Sequence, residues 1–416
     1  MSVSSSCRFA LVTTGALIAL TSCRGPQSTF APFANAHVVR QPSPDARQFE
    51  ILFTLGGAYG GSPLGLTQAI PGGRLLYGLT EFGGKDKGGT FYSVSTSGHA
   101  RLYRSFSSAQ GTYPTQVVPL NGLFYGLTHT FDCGNGNLCG TIFAIPPSGR
   151  VQVLHRFRGR EADRRPRGGV PYSLAALNGV LYGIGGSGKL PDPCGLLFSL
   201  TPPQDYHIVY RFRFTGGYKN PDSCSPDSLI AYDGMLYGTS VSGGSAASGT
   251  IFSVTPAGKE RVLHSFPGGS DGMAPVSVTA FNGKLYGLAA GGNTGGICNY
   301  AYQGCGIVFS IDTTGHGFRT LYRFQGGRDA AWPLNSLTAL NGDLYGTTRF
   351  GGRCIYCGTI FRISPSGRER VVYSFLSSYA ALGYGGSGLT PVNGTLYGTV
   401  EPNRHYKSGA VYSFTP

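Results

Sequence analysis

Four polar side chains recur at one slot of a repeated sequence, and together they could do chemistry. Glu81, His129, Arg349 and Glu401 each lie four residues past a repeated Tyr, where other copies carry Gly186, Val241 and Ala290. Two carboxylates and an imidazole about 5–9 Å apart around a substrate could divide general acid and base work. The plain alternative is loop variation, since position in a fold is no evidence of catalysis. A second cluster is basic: Arg156, Arg158, Arg160, Arg164, Arg165 and Arg167 crowd one segment, broken by Glu161 and Asp163. Guanidinium forks favour phosphate, sulfate and carboxylate, so an acidic glycan, lipopolysaccharide phosphate or nucleic acid could dock there. A solvated basic loop is the bland counterpart. No run of aromatics alternates with these arginines, which argues against single-stranded nucleic acid.

Other chemical signatures are missing from the sequence. There is no Gly-x-Ser-x-Gly elbow, no phosphate loop, no His-x-x-x-His pair and no Asp-rich calcium loop, so no metal or cofactor is implied. His155 and His264 fall in a slot that holds Tyr103, Tyr210, Tyr322 and Tyr373 elsewhere, which reads as packing. With Trp332 as sole Trp, a sugar-stacking platform would rest on Tyr and Phe.

The elements that position these residues follow from a Leu-Tyr-Gly type motif centred on Tyr77, Tyr125, Tyr182, Tyr237, Tyr286, Tyr345 and Tyr397. Its spacing, roughly 50 residues, falls in the range of propeller and solenoid repeats. Each copy has four short runs rich in Val, Ile, Thr, Tyr and Phe, separated by turn residues, which predicts four antiparallel strands, a to d. Between a and b stand Asn121-Gly122, Asn178-Gly179, Asp233-Gly234, Asn282-Gly283, Asn341-Gly342 and Asn393-Gly394, with Gly72-Gly73 in the first copy. All seven read as two-residue type I′ turns. These turns and the c–d turns share a tight rim, whereas the long b–c and d–a loops share the opposite rim, where function belongs.

The ends of the array decide closure. Residues 49–55 resemble a d strand without a blade, and the last copy stops after a c strand, Ala410-Val411-Tyr412-Ser413-Phe414. Pairing them predicts an all-β, closed seven-bladed β-propeller over 49–416. A stacked β-solenoid is the rival and would need capping repeats.

Upstream, Arg8, the apolar run Phe9 to Leu20 and Leu20-Thr21-Ser22-Cys23 resemble a bacterial lipobox. That predicts a signal peptide over 1–22, lipidation of Cys23 and a Pro-containing tether over 23–48. An ordinary secretory signal with an incidental Cys is the alternative. The expected location is the bacterial envelope, at the outer membrane or cell surface, with the tight rim toward the membrane.

With Cys7 in the signal and Cys23 lipidated, eight of the ten cysteines remain in an exported chain, so disulfides are the default. The repeat frame pairs Cys133 with Cys139, Cys194 with Cys224, Cys298 with Cys305, and Cys354 with Cys357. A Cys₄ zinc site from the last four is the alternative.

Leu-Tyr-Gly-Thr-Thr, Gly-Gly, Cys-Gly-Thr-Ile-Phe and Pro-Ser-Gly, as in residues 344–367, resemble the GloVer tandem repeats of "choice-of-anchor" bacterial proteins. The resemblance covers about residues 50–416. It implies display on the envelope and transfers no catalytic residue. The sequence therefore points to an anchored module that binds an extracellular polymer or protein through its loop rim. A glycan-active enzyme using the polar slot, or an envelope assembly factor, are the other classes.

Overall fold

In the Leu-Tyr-Gly repeat the Gly is a seat for an aromatic ring. Each such Gly pairs across the sheet with an aromatic residue of strand c, as Gly183 with Phe198 and Gly287 with Phe309. A Cβ at Gly183 would lie 2.1 Å from the Phe198 ring, and one at Gly398 would lie 2.4 Å from Tyr412. Seven rings are thereby sunk into the blades, and Tyr92, Phe143, Phe198, Phe252, Phe309, Phe361 and Tyr412 are all fully buried. The motif is a packing rule.

The computed structural model describes residues 48–130, 139–146, 149–157, 171–185, 194–213, 220–292, 304–375, 388–401 and 408–416. These form seven antiparallel sheets, six of them with their strands in chain order from the inside outwards and the seventh completed on its outside by the chain's first strand. Blade 6 is representative, running Ala330–Leu340, Asp343–Gly351, Thr359–Ile363 and Glu369–Ser374. Inner strands of successive blades pack against one another. The fold is a seven-bladed β-propeller.

Closure uses the ends of the chain as the sequence predicts. Phe49–Thr54 pairs with Ala410–Phe414 and becomes the outer strand of blade 7. The closing blade also repeats the hydrogen bond of the other six. Leu55 N donates to Gly409 O at 3.0 Å, as Phe106 N does to Gly89 O and Phe266 N to Gly249 O.

Between blades a second Gly matters. Gly89, Gly195, Gly249, Gly306 and Gly409 have φ between 91° and 115° and abut Pro114, Pro226, Pro275, Pro333 and Pro63 of the next blade. A Cβ there would approach the proline ring to 2.5–2.9 Å. Further out, rings stack from one outer strand to the next: His155 on Tyr206 at 3.8 Å, His264 on Phe318 at 3.6 Å and Tyr373 on Phe49 at 4.3 Å. The two histidines thus pack, as their slot predicts. Burial pulls the His264 pKa down to about 4.

One turn departs from expectation. Asn121, Asn178, Asp233, Asn282, Asn341 and Asn393, each followed by Gly, have the positive φ of type I′ turns. Gly72-Gly73 does not make a two-residue turn. Blade 1's inner strand is split into Gly61–Pro63 and Thr67–Gln68, and pairing ends at Gln68 opposite Leu76. The longer connection is closed by Gly73 N to Ile70 O and by the Gln68 amide to Gly73 O, both at 3.0 Å.

Candidate functional site

The loop rim is held by small hydroxyl clusters where strands b and c reach it. Thr80–Thr90, Thr128–Thr141, Ser240–Thr250 and Thr348–Thr359 are cross-strand pairs with hydroxyl oxygens 2.7 Å apart. Thr90 and Thr141 donate onward to the carbonyls of Tyr59 and Gln110, fixing the loops that lead from the preceding blade into their own. In blades 3, 5 and 7 the same pairs are Gly185–Leu196, Ala289–Ile307 and Val400–Ala410. A buried hydroxyl needs a partner, so both members change together.

On this scaffold stand the polar-slot residues. Glu81 is the penultimate residue of the second strand of blade 1, Leu75–Phe82, where burial raises its carboxyl pKa. His129 Nε2 donates to Pro171 O of blade 3 at 3.1 Å, and the imidazole meets Tyr172 edge-on. Burial lowers its pKa, with the Pro171 bond acting in the opposite direction. Arg349 places its guanidinium 5.0 Å from the Trp332 ring centre and 5.4 Å from that of Phe350. Glu401 follows the second strand of blade 7 and is partly buried. His129 and Arg349 are thus engaged with residues of the framework around them.

Arg158, Arg160, Arg164, Arg165 and Arg167 lie outside the described residues, as do Cys23, Cys133 and Cys298; Cys139 is placed only as part of its strand. Cys194–Cys224 and Cys354–Cys357 are disulfides with Cα separations of 4.5 and 5.1 Å. Cys305 is also disulfide-bonded. The zinc alternative loses its thiolate donors, since Cys354 and Cys357 bond each other. Among the described residues no three His, Cys, Asp or Glu side chains converge as a metal site.

Two features lie beyond the sequence reading. The first is an aromatic group on blade 6, where Phe350 touches Trp332 and, edge-on at 5.7 Å, Tyr356. The Cys354–Cys357 loop presents Ile355 and Tyr356 at 49% and 61% exposure. The second is a cavity of about 370 Å³ among the inner strands of blades 6, 7, 1 and 2. Its signal was present in the repeat, as Gly65, Gln116, Ser173, Ser228, Ser277, Ser336 and Gly388 precede the buried apolar residue of each inner strand.

A closed ring of seven repeated four-stranded blades defines a tandem-repeat propeller. The chain belongs to the Gloeobacter/Verrucomicrobia repeat family, whose repeat matches residues 33–224 and again 224–416. No curated protein matches the sequence. Among solved structures, oligogalacturonate lyase in complex with manganese is similar over 92% of this chain and 98% of its own, with TM-score 0.54 and 11% identity. A prolyl endopeptidase matches over 86% of this chain with TM-score 0.48 and 11% identity, and the present chain covers 50% of its length. TolB from Acinetobacter baumannii matches over 76% of this chain and 63% of its own, with TM-score 0.40 and 13% identity. At 11% identity the likeness to the lyase is one of fold.

Proposed function

We propose that the protein is a binding module of the bacterial cell envelope, anchored by lipid on Cys23, that takes an extracellular polymer or protein on its loop rim without catalysis. The observation that carries this reading is where large apolar side chains meet solvent. Among the described residues, four of the six most exposed large apolar side chains, Phe82, Val241, Ile355 and Tyr356, exposed by 36–61%, belong to the b–c side of the loop rim, whereas Ile70 and Leu75 sit at the a–b connection of blade 1 on the opposite rim. Exposed aromatic surface backed by rigid structure is typical of recognition sites. The basic segment Arg158–Arg167 connects two strands, Gln152–Arg156 and Pro171–Leu177, that meet this same rim.

The test is binding of purified Cys23→Ser protein to envelope glycans, lipopolysaccharide and DNA across a salt series. Affinity that collapses with salt, and with Ala at Arg164, Arg165 and Arg167, supports a polyanion ligand. Salt-insensitive binding lost in Tyr356→Ala supports the aromatic surface. Absence of both overturns the reading. A glycan-active enzyme is the second reading, favoured only by the raised Glu81 carboxyl; turnover abolished by Glu81→Gln with binding retained would establish it. An envelope assembly role would show as a requirement for Cys23 in cells.

A further inference from the structure

The cavity among the inner strands has a definite chemistry. Thr67, Asn335, Ser336 and Thr338 contribute polar lining, and Leu66, Val117 and Leu389 contribute apolar lining. Among the described residues no Asp, Glu, His, Lys or Arg lines it. At about 370 Å³ it falls within the range of small-molecule sites, about 300–1,000 Å³.

Side chains already occupy backbone edges of the inner strands around it. The Gln116 amide both donates to Leu174 O and accepts from Leu174 N, at 3.1 and 2.8 Å. Ser277, Thr279, Thr338 and Thr390 donate to the carbonyls of Asn335, Leu337, Leu389 and Leu66 at 2.6–2.8 Å. These side chains take carbonyls that an incoming extended peptide would need, so strand addition is disfavoured. Asn335 and Ser336 are exposed and line the cavity. They sit in a register irregularity between Leu334 and Thr338, with Asn335 at φ 62°. Among the described residues the Ser336 hydroxyl has no hydrogen-bond partner.

We propose that this cavity binds one unit of a neutral saccharide. A sugar ring offers hydroxyls at its edge and C–H groups on its faces, which fits neutral hydroxyl and amide donors beside Leu and Val. An anionic ligand would find no counter-charge here, and a purely apolar one would strand the polar lining. The proposal goes beyond the rim reading above, since it places a ligand among the inner strands.

Gly388 supplies the means to test it. Its backbone lies outside the left-handed region, and among the described residues a Cβ added there meets only Asn335 Cβ, at 3.8 Å. Gly388→Leu therefore fills the cavity without a clash at its first carbon. Trp332, on the same strand as Asn335 and the sole Trp, is a built-in fluorescent reporter. The purified protein is titrated with maltotriose, cellotriose and chitotriose by Trp332 fluorescence and calorimetry, at low and high salt. The expected result is salt-independent binding of at least one, weakened about tenfold or more by Gly388→Leu and about threefold by Ser336→Ala, with unchanged thermal midpoints. No binding of any trisaccharide at millimolar concentration overturns the proposal, as does full-strength binding by Gly388→Leu. Ligand binding that needs Tyr356 but tolerates Gly388→Leu would retire the cavity and leave the rim reading standing.

Discussion

The two rims of the ring are built from the same blades, yet the repeat reaches only one of them intact. On the tight rim, six turns place Asn or Asp at φ 47–51° and Gly at φ 72–85°. That narrow range is set by backbone geometry, because a two-residue link between twisted strands leaves few solutions. On the loop rim the backbone is freer and side chains decide. Four blades close their b and c strands with a hydroxyl pair, and three use apolar pairs. The large exposed apolar residues differ too, with Phe82 in blade 1, Val241 in blade 4 and Tyr356 in blade 6. Where geometry dictates, sequence is repeated; where contact dictates, it diverges.

The contrast can be broken at its strongest point first. Gly183→Val forces side-chain atoms into the fully buried Phe198 ring and should cost about 3 kcal/mol, read as a lower denaturant midpoint. Next come the hydroxyl pairs. Thr141→Val strips Thr128 and the Gln110 carbonyl of a partner and should cost about 1–2 kcal/mol. The converse change, Ala289→Thr, puts a hydroxyl opposite Ile307 and should destabilise by a similar amount, although it copies the other blades. If Ala289→Thr stabilises instead, the pairing rule is wrong.

A third test concerns the outer belt, where Glu369 takes the slot filled by Phe318 and Tyr206 elsewhere. Tyr322 donates to Asp329 Oδ2 at 3.0 Å. Burial, and then the charge of Asp329, pushes the Glu369 pKa up to about 8, with the Tyr322 hydroxyl opposing. The folded protein thus holds a proton that the unfolded chain releases near pH 4.5. Its stabilising effect is full below that value and is lost as pH rises through about 8. Glu369→Gln should flatten the stability profile between those two points. The smallest expected effect on stability is at the loop rim, where Tyr356→Ala should stay within about 0.5 kcal/mol by thermal melting while abolishing rim binding.

The ring was legible because its cause is local. Leu-Tyr-Gly and Asn-Gly each encode a constraint within one blade, and the unmatched strands 49–55 and 410–414 specified closure. Gly72-Gly73 misled because two glycines satisfy a type I′ turn without requiring one, and here the inner strand breaks at Thr67–Gln68. The polar slot was found by counting from the repeat Tyr, which gives position and not neighbours. That Pro171 receives the His129 N–H, or that Trp332 lies under Arg349, depends on loops entering from the adjacent blade or the same blade's inner strand. The repeat showed the small and polar residues of the inner strands, but not that four blades far apart in sequence bring them around one cavity.

The most direct test of the loop rim as the binding face is hydrogen–deuterium exchange of the protein with the tightest binder from the ligand panel. The account predicts slowed exchange in the segments around Phe82, Val241 and Ile355-Tyr356, with the Asn-Gly turns unchanged. Protection confined to those turns, or consumption of the ligand during the experiment, would contradict it.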